Sequence, residues 1–154
     1  EICACLVGSE MCIRDRLYAN TECGIFGVLP QENRPEAVGE AIPVARRTEV
    51  RTGKAVILAN CRGNEVCAYE IEIEKLYGGS APTRNLLLRV TDPALIALTG
   101  GIVQGMSGSP IVQDGKLVGA VTHVLLDDPQ RGYGILAENM LSASGMTAQS
   151  AASA

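Results

Sequence analysis

Apolar and acidic residues alternate strictly over Tyr69-Glu70-Ile71-Glu72-Ile73-Glu74, the pattern of an antiparallel strand with one buried and one solvated face. The flanking segments are more uniformly apolar. Residues 54–59 read as a buried strand, residues 86–90 as another strand, and residues 24–29 as a brief strand closed by Pro30. Residues 31–40 are polar, contain Pro35, and read as a surface loop. Arg62-Gly63-Asn64 turns the chain, residues 78–82 form another loop, and Asp114-Gly115 is a type I′ hairpin signal. Residues 131–136 read as a last strand. Helix is expected in two places. Asp92 as N-cap, Pro93 at N1 and Gly100 as terminator frame a helix over 93–99, and a second short helix is expected over 138–142. Many short strands with little helix predict a mainly β fold, an antiparallel barrel or sandwich.

Composition narrows this picture. A chain of 154 residues, 47% hydrophobic and 19% charged, suits one globular domain and argues against disorder. With one Phe, four Tyr and no Trp, the core has to be aliphatic, and its β-branched share favours sheet. A net charge of −4 without a basic cluster gives no footing for nucleic acid. No apolar run approaches the roughly 20 residues that span a bilayer, and there is no signal-peptide pattern, since Glu1 and Glu10 interrupt the first stretch. Any export signal or anchor is expected outside the sequence given.

Three of the six cysteines, Cys3, Cys5 and Cys12, lie in residues 1–16. Residues 5–16 resemble a translated sequencing adapter, so residues 1–16 are expected to be non-native, the alternative being a mobile native terminus, and are set aside from fold reasoning. Cys61 and Cys67 would face each other across a hairpin with a three-residue loop centred on Asn64. Their spacing fits a disulfide as well as two buried thiols, the latter being preferred. No metal or cofactor is expected, because neither cysteine group has further ligands at hand.

The chemistry centres on Gly105-Met106-Ser107-Gly108-Ser109-Pro110. Glycines beside a serine clear space around its hydroxyl, allow positive φ, and leave N–H groups free to face an oxyanion. Taken alone, the same residues also describe a Gly/Ser turn. The Asp114-Gly115 turn fixes the hairpin register: Gln113 faces Lys116, Val112 faces Leu117, Ile111 faces Val118. Continued without interruption, Ser107 faces Thr122. On that register the Thr122 hydroxyl comes near Ser107, while His123, the chain's one histidine, points away. A serine nucleophile needs a base, and the base is therefore expected outside this sequence. Asp92 reads locally as an N-cap, a role compatible with orienting a histidine.

Several stretches together resemble one family: Thr91-Asp92-Pro93, Thr99 through Ile111, Gly119-Ala120-Val121-Thr122-His123-Val124, Asp128-Pro129, Gly132-Tyr133-Gly134-Ile135 and Gly24-Ile25-Phe26-Gly27. These are similar to the stage IV sporulation protein B serine peptidases of endospore-forming bacteria, over residues 20–141. The resemblance implies a chymotrypsin-like antiparallel double β-barrel, here one complete barrel plus part of the other. It implies Ser107 as nucleophile, Asp92 as catalytic aspartate, Thr122 as a further active-site residue, and backbone N–H groups of Gly105 and Ser107 as oxyanion hole. The family's histidine lies upstream in a Gly-His context that has no match here.

On this footing residues 17–141 are expected to be a partial peptidase domain, and 142–154 a Ser/Ala-rich tail. The chain is expected to hydrolyse nothing alone and to expose apolar edges. Family membership further implies an exported, membrane-anchored parent, often with a PDZ domain, in the space between forespore and mother cell. Such a parent cleaves itself and a membrane-bound regulator of sigma-factor processing. The competing expectation is a non-catalytic β-barrel module that binds a peptide or partner strand.

Overall fold

The computed structural model describes residues 17–27, 41–62, 65–78 and 82–145. The adapter-like segment, the 31–40 loop and residues 146–154 of the tail lie outside the described residues. Strand β1 (Leu17–Thr21) pairs with β2 (Gly24–Gly27) in a separate two-stranded sheet. The remaining strands are β3 (Gly53–Arg62), β4 (Glu65–Leu76), β5 (Leu86–Val90), β6 (Pro110–Gln113), β7 (Lys116–Leu125) and β8 (Asp128–Leu136). They close into one antiparallel barrel in the order β3-β4-β5-β8-β7-β6. Helix α1 (Pro93–Thr99) links β5 to the Ser107 loop, and α2 (Ala137–Ala143) follows β8.

Strand alternation builds the interior. Tyr69, Ile71 and Ile73 of β4 point inward, as do Leu86, Leu88 and Val90 of β5 and Ala55, Ile57 and Ala59 of β3. Each fully buried Ile or Leu contributes about 1.5–3 kcal/mol. Glu70 and Glu72 are solvated as the alternation implies. Glu74 is not: its side chain is 18% exposed and takes both Arg89 Nε (2.7 Å) and Arg131 (3.0 Å), tying the outer faces of β4, β5 and β8.

Helix α1 forms where its signals put it. Asp92 caps it, Pro93 opens it, and Gly100 ends it in the left-handed conformation (φ 78°). The hairpin turn is type I′, with positive φ at Asp114 (50°) and Gly115 (74°).

Two registers depart from expectation. At the β3–β4 hairpin, Cys67 faces Ala59, not Cys61, because an irregularity separates that pair from Arg62 and Glu65. Both cysteines are free, half-buried, and packed against the core. In the β6–β7 hairpin, Gln113–Lys116 and Val112–Leu117 pair as expected, but Ile111 faces Gly119. Val118 is the extra residue. Two contacts hold the bulge there: Leu117 bonds through its own N–H to Pro43 O and through its carbonyl to Ala45 N. Gly119 lies so close under β8 that a Cβ would overlap the Ile135 carbonyl. The uninterrupted register that placed Thr122 opposite Ser107 therefore does not hold.

Candidate active site at the barrel mouth

Antiparallel alternation brings the end of β5, the start of β6 and the end of β7 to one end of the barrel. Helix α1 and the loop after it cross this mouth. The loop is pinned inside and left open outside. Ile102, Met106 and Ser109 are buried, whereas Val103, Gln104, Gly105 and Ser107 are exposed. Ile102 N–H donates to Pro129 O at 2.8 Å, and a Cβ on Gly101 would strike the Pro129 carbonyl. Ser109 O accepts from Val121 N–H (3.0 Å), and Gly108 N–H donates to Val121 O (2.8 Å). Gly105 and Gly108 adopt φ of 100° and 93° with open space where a Cβ would stand, so conformation rather than room requires glycine there.

Ser107 thus sits exposed on a turn pinned by backbone hydrogen bonds on its C-terminal side. Its Oγ donates to the carbonyl of Thr122 at 2.9 Å. Thr122 is the extra residue of a second irregularity in β7, between the pairs Val121–Gly134 and His123–Tyr133. Its hydroxyl does not face Ser107; it is shared between Tyr133 O and Thr83 O, each at 3.1 Å. Ser107 and Thr122 do meet, then, but through the threonine's backbone. These two carbonyl anchors have no side-chain signature, so nothing in the sequence signals them. The N–H groups of Gly105 and Ser107 donate to no described residue and remain available to an oxygen anion.

His123 is exposed and lies opposite Tyr133, and its imidazole makes no hydrogen bond to a described residue. The proton of Ser107 is directed at a backbone carbonyl, not at this imidazole.

Asp92 is tied down by three peptide N–H groups. Oδ1 accepts from Ala94 (2.8 Å) and Leu95 (3.2 Å), and Oδ2 from Glu70 (3.1 Å) on β4. The Glu70 bond is the main reason its carboxyl lies below the ordinary aspartate value, with those from Leu95 and Ala94 adding to it against the cost of desolvation. Strands β4 and β7 stand three apart in either direction around the ring. Asp92 and Ser107 therefore anchor opposite ends of the segment that crosses the mouth. A polar hollow of about 300 Å³, lined by Glu49, Arg51, Asp114 and Lys116, lies at the other end of the barrel. Among the described residues no three His, Cys, Asp or Glu side chains gather as metal ligands, and no helix is long and apolar enough to cross a membrane.

Comparison with known proteins gives a family and a fold. The model of the SpoIVB peptidase S55 family matches residues 2–141. The active form of the Rv3671c protease from M. tuberculosis is similar in structure, with a TM-score of 0.56 and 22% identity over 86% of this chain and 58% of that one. Its inactive form matches at TM-score 0.48 and 21% identity, over 79% of this chain and 58% of that one. This chain thus spans less than two thirds of the length of these structures. No curated protein matches it.

Proposed function

From the chain's place in the SpoIVB peptidase S55 family, to which it belongs over residues 2–141, we propose that Ser107 is the nucleophile of a serine endopeptidase. The family is one of serine peptidases and the fold is chymotrypsin-like. One observation carries the assignment to Ser107: an exposed hydroxyl on a pinned turn, with unengaged N–H groups at positions 105 and 107. Ser107 Oγ attacks a peptide carbonyl, its proton passes to a base, and the two N–H groups receive the oxyanion. Beyond Val121 the edge of β7 facing the Ser107 loop is no longer covered by β6, which suits a substrate laid alongside as an added strand.

The base belongs to the parent protein, since His123 is the one histidine here and Ser107 bonds elsewhere. The chain by itself is then inactive. Thr122 positions the carbonyl that holds the nucleophile. Asp92 clamps α1 to β4 and so sets where the loop begins. The resemblance adds a second role for Asp92, orienting the histidine. A remaining lone pair on Oδ2 supports that role; the attachment of that oxygen to β4 speaks against it. The adapter-like reading of residues 1–16 remains part of the proposal, although the family match begins at residue 2.

On the family's footing the substrate is a membrane-associated regulator of sigma-factor processing during sporulation, met outside the cytoplasm by an anchored parent that also cleaves itself. The test is hydrolysis of that regulator's extracytoplasmic part by the parent protein. Wild type cleaves it, Ser107→Ala lowers the rate by at least about a thousandfold, and the present chain alone releases no fragment. Cleavage that survives Ser107→Ala refutes the assignment.

A further inference from the structure

We propose that the outer face of β5 and β8 beside Ser107 is a subsite for an acidic side chain of the peptide substrate, with Arg84 and Lys75 as the charges that read it. It deepens the peptidase reading of Ser107 and rests on it. Tyr133 lies on the outer face of β8, between Leu87 of β5 and His123 of β7. Its ring lies 6.3 Å from that of Tyr77, tilted by 54°. The Arg84 guanidinium lies over Tyr133, 5.3 Å from the ring centre, and Lys75 Nζ over Tyr77 at 5.0 Å.

Four other cations face carboxylates, Arg89 and Arg131 at Glu74, Lys116 at Glu49 and Arg51 at Asp114, while exposed Lys54 on β3, like Arg84 and Lys75, has none among the described residues. Arg84 and Lys75 are exposed and have no carboxylate partner among the described residues. The nearby Glu74 cannot neutralise them, being engaged by two arginines already. A protein of net charge −4 thus keeps on one aromatic shelf two cations with no carboxylate partner among the described residues. The aromatic rings hold the cations in place while leaving their outward side free for an anion.

The shelf adjoins the site through a short chain of bonds. Arg84 follows Thr83, whose carbonyl shares the Thr122 hydroxyl with Tyr133 O, and Thr122 O accepts the hydrogen bond of Ser107 Oγ. A peptide strand paired on the open edge of β7 lies on the β6 side of that strand, and its long outward side chains reach toward Tyr133 across His123. A glutamate or aspartate there meets Arg84 and Lys75 as a charge-assisted pair.

The experiment compares two short fluorescein-labelled peptides, one bearing glutamates and the other glutamines at the same positions, by anisotropy at low salt with the chain as given. The glutamate peptide is expected to bind about tenfold more tightly, about threefold for each surface cation, with the margin shrinking at high salt. In the double variant Arg84→Gln, Lys75→Gln the margin disappears and the glutamine peptide binds as before. Equal affinity of wild type for both peptides, no binding of either, or a margin that persists in the double variant overturns the proposal. Fluorophosphonate modification of Ser107 in the parent protein separates the two readings. A charge preference without modification keeps the shelf and removes the nucleophile; modification without preference does the reverse.

Discussion

Replacing Asp92 by asparagine keeps an oxygen for the α1 N–H groups and removes the acceptor of the Glu70 N–H. We expect Asp92→Asn to lower unfolding free energy by about 1 kcal/mol and Asp92→Ala, which also loses the cap, by about 2 kcal/mol in urea titrations. Folding lowers this carboxyl below its unfolded value, so its contribution is complete above that value, about 3.9, and is lost as pH falls through the folded one. Wild type and Asp92→Asn should therefore differ at neutral pH and converge in acid. A constant difference across that range contradicts the clamp. This residue was legible in the sequence because capping is local: Asp92, Pro93 and Gly100 sit within nine positions of one another. The partner of Ser107 was half legible. The position, 122, came from a register that does not hold, and the contact runs through a carbonyl, a group every residue carries.

Strands were readable where period two is unbroken, as in β4, or where a short apolar run stands between turn signals, as in β5, and their ends were not, because pairing extends β3 and β8 beyond their apolar runs. The bulges of β7 depend on contacts far along the chain, with residues 43–45 and with β8 beneath Gly119. No local pattern announces them. Gly119→Ala tests this cause. Its methyl group has nowhere to go without moving the Ile135 peptide, so we expect a loss of about 3 kcal/mol or an unfolded chain by circular dichroism. A melting point equal to wild type would show that the close approach does not hold the bulge. On the outer face, Glu74→Gln should cost only about 1 kcal/mol, since the arginines it holds are partly solvated. Burial raises the Glu74 carboxyl, and Arg131 and Arg89 outweigh that effect, leaving it below the ordinary glutamate value. Its stabilisation is accordingly present above the unfolded value, about 4.3, and fades as pH falls through the folded one.

At the scale of the whole molecule, a closed barrel carries a serine at its mouth and the chain carries one histidine that does not meet it. Short strands with turn signals pointed to barrel or sandwich, and only pairing between distant strands, β3 with β6 and β5 with β8, decides for closure. The central claim is that Ser107 is a peptidase nucleophile whose base is not His123. Its most direct measurement is mass-spectrometric mapping of fluorophosphonate modification in the parent protein, comparing wild type, Ser107→Ala and His123→Ala. The expected result is modification at Ser107, absent in Ser107→Ala and undiminished in His123→Ala. Modification abolished in His123→Ala, or found on a different residue, contradicts it.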